Sequence, residues 1–269
     1  MRAEKVDLPA LRKLWEYCFY DDSKEFLDFH FGSLDPSNVR VIKDGGKIVS
    51  CLHLQYIDIC QNGKIYKAAY IGGVSTAPEY RGMGFYKRLM NETLDELALG
   101  GCDAAMLIPF SFDFYRKDGF EVSSYYIEVS GKLSDLGKSR NSQDIIYDAY
   151  WKRTSDELEN IKSALAPDGM RFFEGGGFHV FYYFSGDTVT VPEICAKTAE
   201  GYEAALSFVA SHSSTLQRFK IRTDVLRAPR FSERCFDVKL CPHTMMRILN
   251  PELNLKGVYN NNFNLLGYV

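Results

Sequence analysis

Apolar positions at the start of the chain recur every three or four residues, which is the spacing of one face of a helix. The first run consists of Leu8, Leu11, Trp15, Cys18 and Phe19. Asp7 stands where an N-cap is expected, and Pro9 fits the first turn of a helix. A second short helix is predicted to begin at Asp22 or Ser23. Two helices are therefore expected before any strand.

The period then changes from helical to extended. Apolar runs at residues 39–42 and 48–52 flank Asp44-Gly45-Gly46, which is a hairpin signal. Asn62-Gly63 supplies a second tight turn before an apolar run at residues 65–76. Three antiparallel strands in succession are therefore predicted.

A strong amphipathic helix is predicted next, at residues 85–98. Its common face carries Phe85, Leu89, Met90, Leu94 and Leu97. Gly100-Gly101 ends this helix, and the short apolar run at residues 103–109 predicts a buried strand. A turn of helix at 111–115 and a strand at 120–129 complete the order β-β-β-α-β-α-β. This order predicts a mixed, largely antiparallel sheet flanked by helices, in the α/β class.

The second half of the chain repeats this order of elements. Residues 131–143 are rich in Ser, Gly, Lys and Asn, which is typical of a linker. Beyond it we predict helices from Thr154, which opens a capping box, and from Thr198. We also predict two strands within residues 178–191, around a turn at Ser185-Gly186-Asp187, and strands at 216–222 and 236–240. The predicted organisation is a first domain at 1–132, a second α/β module at 144–250 and a tail at 251–269.

The composition is that of an ordinary soluble globular protein, with 46% hydrophobic and 25% charged residues among 269. The 32 Lys and Arg residues do not outnumber the 35 Asp and Glu residues, so no nucleic-acid partner is expected. No apolar run approaches the roughly 18–20 residues of a spanning helix, and the N-terminus lacks an apolar secretion signal. We therefore expect a cytoplasmic protein without a membrane partner.

Cysteine and histidine positions give no sign of a metal centre or a disulfide framework. The seven cysteines are scattered, never spaced as C-x-x-C, and stand at positions 18, 51, 60, 102, 195, 235 and 241. We expect them to be reduced and mostly buried. His53 lies in a strand pattern and is interpreted as structural. The other four histidines lack metal-ligand spacing and are His30, His179, His212 and His243.

The clearest chemistry lies between Gly72 and Phe85. A strand there runs into a turn with glycines at 82 and 84 and then into a helix, so unpaired backbone N–H groups and the positive end of the helix dipole converge. Such a place binds phosphate, and Arg81 adds a charge suited to a diphosphate. Lys87 stands where a dinucleotide fingerprint needs its third glycine, and no P-loop sequence follows. A plain surface turn is the simpler alternative for Gly-x-Gly alone.

Here the sequence resembles the GNAT acetyltransferase superfamily. The family's signature corresponds to Pro78-Glu79-Tyr80-Arg81-Gly82-Met83-Gly84. A second segment, residues 107–120, is similar to the family's strand followed by Phe-Tyr-x-x-x-Gly-Phe/Tyr. Tyr86 replaces the last small residue of the usual signature, a departure that resembles the Eis branch of N-acetyltransferases. The resemblance implies a second, degenerate GNAT-like module, and the further sterol-carrier-like domain of Eis proteins is expected to be absent or reduced to a stub.

The resemblance also implies acetyl-CoA as the acetyl donor, a cosubstrate, and no metal. The residues implied in its binding are Val74 and Thr76, through their backbone, for the pantetheine arm, and Arg81, Gly82, Gly84 and Phe85 for the diphosphate. Tyr115 occupies the place of the family's catalytic tyrosine. Its hydroxyl would stay protonated at pH 7 and act as general acid toward the leaving thiolate. Packing in the core is the alternative for one of 17 tyrosines.

The group that accepts the proton of the amine is less well defined. The resemblance implies a C-terminal carboxylate, which in this chain is that of Val269, brought in by the apolar tail. Acidic residues in and between the first two helices compete for the role, and they are Glu16, Asp21, Asp22, Glu25 and Asp28. An acidic, aromatic lip would attract a cation, and its predicted acceptor-binding residues are Trp15, Asp21, Asp22 and Glu25. A solvated helix face is the alternative.

Together these features predict an N-acetyltransferase that acts by direct transfer in a ternary complex. The acceptor is predicted to be a small-molecule amine of aminoglycoside-, polyamine- or lysine-like type. No cysteine lies in either matched segment, which disfavours a covalent cysteine route. The rival class is a non-catalytic acyl-CoA-binding regulatory module. The sequence leaves open which amine is accepted and whether the chain forms a homo-oligomer.

Overall fold

Two mixed β-sheets flanked by helices make up the fold. The computed structural model describes residues 1–137, 142–196, 198–232, 236–255 and 261–262. The first sheet has eight strands and the second has six. The predicted α/β class, with a largely antiparallel sheet followed by a second module of the same kind, is confirmed.

The first half of the chain follows the predicted order of elements. The bounds are α1 (Leu8–Cys18), α2 (Lys24–Ser33), β1 (Val39–Asp44), β2 (Lys47–Gln61), β3 (Lys64–Thr76), α3 (Phe85–Leu99), β4 (Ala104–Leu107), α4 (Phe112–Arg116) and β5 (Glu121–Val122). Both predicted tight turns are present, and Asn62 in the second has a φ of 51°.

The second half contains the remaining elements. The bounds are β6 (Tyr125–Lys132), α5 (Leu133–Leu136), β7 (Ala149–Trp151), α6 (Ser155–Leu165), β8 (Arg171–Gly175), β9 (Phe178–Ser185), β10 (Thr188–Ala196), α7 (Ala199–Ala210), β11 (Arg218–Asp224), α8 (Ala228–Ser232), β12 (Asp237–Pro242), β13 (Met245–Ile248) and β14 (Asn261–Asn262). The short strand β8 is one that the hydrophobic pattern does not predict.

Side-chain caps fix the starts of four described helices, and Ser111 caps α4 by accepting the backbone N–H of Phe114. Ser23, Thr154 and Thr198 each accept a backbone N–H from the first turn of α2, α6 and α7, respectively. Asp7 stands at the predicted N-cap of α1 but makes no such bond, because its carboxylate pairs with Lys43 Nζ at 2.7 Å. The predicted helix is present, whereas the predicted capping bond is wrong.

The order of strands in the first sheet is β14-β7-β2-β3-β4-β13-β5, with β1 paired to β2 outside this path. β2 and β3 are antiparallel, and β3 and β4 are parallel. The second sheet has the order β12-β6-β11-β10-β9-β8. α3 packs its predicted apolar face on the first sheet, so its N-terminus stands just beyond the end of β3.

The two sheets exchange strands across the predicted domain limits. The single strand predicted at residues 120–129 is two strands, because β5 joins the first sheet and β6 joins the second. The break lies at Ser123 and Ser124, whose hydroxyls bond to Thr244 Oγ1 at 2.8 and 2.6 Å. β13, from the second half, pairs with both β4 and β5. The limits at residues 132 and 144 stay a prediction, since the sheets do not divide there.

Several predictions concern residues outside the described part of the chain. These are the carboxylate of Val269, the apolar tail at 265–269 and Cys235. The six described cysteines are free thiols. In the described residues, no helix has the length and apolar character that crossing a membrane requires.

Candidate active site

A bulge in β3 organises the site. The pairing of β2 with β3 shifts between Cys51 and His53, so Gly73 and Val74 have no partner residue on β2. Gly73 has a φ of +54°, and the ring of Trp15 lies so close over it that a Cβ would not fit. Glycine is the residue that tolerates both conditions. The bulge therefore interrupts the pairing of β3 with β2 at this point.

β3 and β4 separate beside the bulge. Their parallel pairing covers only residues 68–70 and 104–106, whereas β3 continues to Thr76. The edge of residues 71–76 that faces β4 therefore has no strand beside it among the described residues. Such an edge can bond an extended ligand through backbone groups. Val74 lies within this open segment.

The turn before α3 presents unpaired backbone N–H groups. Those of residues 82–87 bond to no acceptor in the described part of the chain, and the first bonded amide is that of Arg88, to Gly84 O at 3.0 Å. Gly82 and Gly84 have φ values of +78° and +82°, and no atom lies within 4 Å of where a Cβ would stand. The turn is therefore open to an anion, with the positive end of the α3 dipole behind it. Phe85 begins α3 there.

Arg81 is anchored beside this turn. Its Nε donates to Thr76 O at 3.1 Å, and the rest of its side chain is exposed. The bond keeps the guanidinium charge next to the unpaired N–H groups, where it would strengthen a bond to phosphate. It also occupies the carbonyl of Thr76, a group predicted to bond the pantetheine arm. Thr76 Oγ1 is 2.9 Å from Ser50 Oγ, so its side chain is engaged as well.

Tyr115 lies in α4 with its ring 4% exposed. It packs against the rings of Phe110 and Phe114, at centroid distances of 5.6 and 5.2 Å. Burial, together with the negative charge of Asp118, raises the pKa of Tyr115 to about 12. Its hydroxyl is therefore in the protonated, acidic form at neutral pH.

Tyr86, which replaces the last small residue of the family signature, is one of the residues packed around Tyr115. Its hydroxyl donates to Asp118 Oδ2 at 2.6 Å, and its ring lies 6.3 Å from that of Tyr115. Burial and the bond to Asp118 both raise the pKa of Tyr86. Arg247 of β13 in turn donates to Asp118 O at 2.8 Å, so a strand from the second half of the chain fixes the end of α4.

Two adjoining cavities lie beside Trp15. The first, of about 300 Å³, is lined by Tyr115, Val74, Phe110 and Asp22 among others. The second, of about 330 Å³, is lined by His30 and His53 and, from α6, by Asn160, Ile161 and Ala164. The residues common to both are Trp15, Tyr70, Gly72 and Gly73. α6 of the second half therefore supplies one wall of the site.

The structure joins two of the four predicted acceptor-binding residues. Trp15 Nε1 donates to Asp22 Oδ2 at 2.7 Å, and both residues line the first cavity. Asp21 and Glu25 are exposed and line neither of the two cavities. The predicted acidic lip is thus reduced, at the cavity itself, to the carboxylate of Asp22.

Three residues at the site are not predicted from the sequence to have a functional role. Tyr70 lines both cavities, close to the hydroxyl of Tyr115 and the backbone of Ile108, and its burial raises its pKa. The Gly-Gly pair that follows it within a strand is a signal of a bulge and could have pointed to it. His30 and His53 have no such signal, because they meet only when α2 packs beside β2.

Comparison with known families agrees with this geometry. Residues 1–123 match a family model described as Acetyltransferase (GNAT) domain. This stretch, slightly less than half of the chain, is thus similar to a GNAT acetyltransferase domain. It runs from the N-terminus through β5 and holds every predicted site residue except Val269, and the match supports the prediction of an N-acetyltransferase. No curated protein matches the sequence.

Solved structures with the same fold extend over both sheets. A conserved protein from Enterococcus faecalis V583, described as a probable N-acyltransferase, is 21% identical with a TM-score of 0.77, covering 93% of this chain and 72% of that chain. A GCN5-related N-acetyltransferase from Anabaena variabilis ATCC 29413 is 17% identical with a TM-score of 0.73, covering 93% and 72%. Eis1 from Mycobacterium abscessus is 12% identical with a TM-score of 0.72, covering 93% and 74%. At these identities the likeness establishes the two-sheet fold.

Proposed function

We propose that the chain transfers the acetyl group of acetyl-CoA to a primary amine of a small molecule, by direct attack in a ternary complex. One observation carries the proposal. The unpaired N–H groups of residues 82–87, the open edge of β3 and the cavity of Tyr115 follow one another along the first sheet. They would receive a diphosphate, an extended pantetheine arm and a thioester, in that order.

The cofactor-binding roles divide between backbone and side chain. Gly82, Gly84 and Phe85 would bond the diphosphate through their N–H groups, and Arg81 would add its charge. Val74 would bond the pantetheine arm from the open edge of β3. Thr76, whose carbonyl holds Arg81, would act by fixing that guanidinium rather than by bonding the arm.

Tyr115 is the proposed general acid for the departing thiolate. It lines the cavity next to Val74, so it is near the place where the thioester would end. Burial keeps its phenol protonated, and only a protonated phenol can supply a proton to sulfur. Tyr70 stands beside it and would help to orient the carbonyl.

The acceptor would enter the first cavity, which is lined by Trp15 and Asp22. Asp21 and Glu25, on the exposed surface nearby, would attract a cationic amine before it enters. Aminoglycoside-, polyamine- and lysine-like amines all carry such a charge. An Eis-type reaction, with the carboxylate of Val269 as proton acceptor, belongs to this proposal.

The test is the release of free CoA from acetyl-CoA in the presence of a panel of aminoglycosides, polyamines and lysine derivatives. We expect amine-dependent release together with an acetylated product of matching mass. Calorimetric binding of acetyl-CoA without release for any amine would instead identify the rival, a non-catalytic acyl-CoA-binding regulatory module. Failure to bind acetyl-CoA at all would overturn both.

A further inference from the structure

Two histidines meet beside the bulge of β3. His30 of α2 and His53 of β2 have nearly parallel rings, and His30 Nε2 lies 3.1 Å from His53 Nδ1. The ring of Trp15 contacts both, at centroid distances of 4.8 and 4.9 Å. In the β2–β3 register His53 stands opposite Gly72. The pair therefore lines the second cavity, which shares Trp15, Tyr70, Gly72 and Gly73 with the cavity of Tyr115.

Both imidazoles are neutral at pH 7. Burial lowers the pKa of His30 to about 4, and burial with the neighbouring His30 lowers that of His53 to about 3. The other charged or titratable groups that line the two cavities are Asp22, Asp35, Tyr70 and Tyr115, and α6 contributes none. Asp22 accepts from Trp15 and Asp35 accepts from the backbone N–H of Ser37, and among the described residues neither carboxylate is hydrogen-bonded to the pair. Each ring therefore has one donor and one acceptor nitrogen.

The buried end of the pair has no hydrogen-bond partner in the part of the chain that the structure describes. His53 Nε2 is buried and makes no hydrogen bond to any described residue. An unpaired buried polar group costs about 1–3 kcal/mol, and native structures retain one chiefly where a ligand or water completes it. His53 is 7% exposed, whereas His30 is only partly buried. The unpartnered nitrogen of His53 is thus at the inner end of the pair, and His30 is the more exposed of the two residues.

The proposed reaction needs a group of this kind. The amine attacks as the free base, after its ammonium group has released a proton to solvent. Its lone pair forms an N–C bond with the carbonyl carbon, and the C=O electron pair moves to oxygen. When the carbonyl re-forms, the C–S bond breaks and the thiolate takes the proton of Tyr115. The nitrogen, now positive, must lose one proton, and attachment to carbon makes it a stronger acid than the free ammonium group. A neutral imidazole nitrogen can accept that proton.

We propose that His53 and His30 form a proton relay from the acceptor nitrogen to solvent, an inference that rests on the proposed acetyl transfer. His53 Nε2 accepts the proton, His53 Nδ1 passes its own proton to His30 Nε2, and His30 Nδ1 releases a proton to water. Both rings thereby change tautomer, and exchange with water restores them after product leaves. Tyr115 regains its proton from solvent. The reaction therefore releases amide and CoA thiol, and the protein neither gains nor loses a proton overall.

The test compares His53→Phe and His30→Phe with His212→Phe in the full-length protein. His212, whose Nδ1 lies 3.2 Å from Phe208 O in the second half of the chain, is the matched control. For His53→Phe we expect kcat to fall about 10²–10⁴-fold, the usual contribution of general acid–base catalysis, with acetyl-CoA affinity unchanged. Added imidazole should restore part of the activity of this variant and should leave the activity of the control unchanged. His30→Phe should lower kcat while leaving KM for the amine nearly constant.

The outcomes separate the relay from the reaction itself. If the parent protein acetylates no amine, the proposed function fails and the relay fails with it. If the parent is active and His53→Phe keeps kcat within threefold, about 0.7 kcal/mol at RT of 0.59 kcal/mol, the relay alone is wrong. Loss of turnover on removal of residues 265–269, with His53→Phe active, would assign the proton to the carboxylate of Val269.

Two further measurements keep the inference testable if His53→Phe does not fold. His53→Asn, which is polar and smaller, should lose kcat as His53→Phe does and respond to added imidazole. Nitrogen NMR of the parent protein should find both rings neutral at pH 7 and still unprotonated at pH 5.5. A ring at position 53 that titrates at an ordinary histidine pKa would overturn the relay, because such a ring would be partly charged in the working enzyme.

Discussion

Arg81 joins two parts of the proposed cofactor site through a single side chain. Its Nε holds the carbonyl of Thr76 at the end of β3, and its charge stands beside the unpaired N–H groups of residues 82–87. The same residue therefore fixes the turn and would bind the ligand. Its contribution can be separated into these two parts by measuring stability and affinity together.

Arg81→Ala should weaken acetyl-CoA binding by about 1.5–3 kcal/mol, the scale of a hydrogen bond to a charged group. Calorimetry measures the affinity, and urea unfolding checks that the fold remains. Arg171→Ala is the control, because that guanidinium lies over the ring of Phe184 in the second sheet. Unchanged affinity in Arg81→Ala would remove this residue from the site.

Tyr115→Phe tests the general acid. Only the hydroxyl is lost, so we expect kcat to fall by about 10²–10⁴-fold while acetyl-CoA affinity stays nearly constant. Steady-state rates and calorimetry give the two values. Tyr66→Phe is the matched control, since that hydroxyl donates to Glu252 O away from the cavities. A Tyr115→Phe enzyme that turns over like the parent would exclude the role.

At the scale of elements, the site depends on how β3 departs from regular pairing. The bulge at Gly73 lets Trp15 of α1 lie directly on the backbone of the strand. Beyond it the strand has no partner toward β4, and its end leads into the turn before α3. The bulge at Gly73 thus lies beside the open edge of β3, and it makes room for the ring of Trp15, which lines both cavities.

Gly73→Ala should destabilise the protein more than Gly45→Ala. The two glycines have φ values of +54° and +53°, so both variants carry the backbone cost of about 1–2 kcal/mol. Only the alanine at 73 also meets the ring of Trp15, since position 45 has open space. We expect an additional loss of about 1–3 kcal/mol from this overpacking, measured by urea unfolding, with weaker amine binding. Equal losses for the two variants would contradict the close contact.

At the scale of the whole molecule, each sheet needs strands from both halves of the chain. β13 lies between β4 and β5 in the first sheet, and β6 lies between β12 and β11 in the second. The hydroxyls of Ser123 and Ser124, where the chain crosses between sheets, share Thr244. Neither sheet is complete without the other half, so we expect a single cooperative unfolding transition.

Thr244→Val tests this coupling. It removes the hydroxyl to which both buried serines are bonded, which should lower the free energy of unfolding by about 1–3 kcal/mol. Fluorescence of Trp15 and Trp151 reports on the first sheet, and hydrogen exchange of β10 amides reports on the second. Both should shift by the same amount, whereas Thr215→Val, at an exposed hydroxyl, should shift neither. A shift in one sheet only would show that the sheets unfold independently.

The hydrophobic pattern determined much of this protein on its own. It predicts α1, α2, the three-strand opening and α3 because these elements bury one face each and repeat with a fixed period. Residues 72–85 likewise identify the proposed anion site, since a strand, two glycines and a helix start are neighbours in sequence. The caps at Thr154 and Thr198 are also local, and they are present as predicted. Ser23, one of the two predicted starts of α2, caps that helix.

The tertiary structure alone decided which elements meet. Periodicity tells which face of an element is buried but not what it is buried against, so the places of β5, β6 and β13 could not be read from the pattern. His30 and His53 are 23 residues apart and Ser123 and Thr244 are 121 apart. Such contacts form only when elements distant in sequence pack together. For that reason the sequence predicts a structural role for His53 and no role for His30.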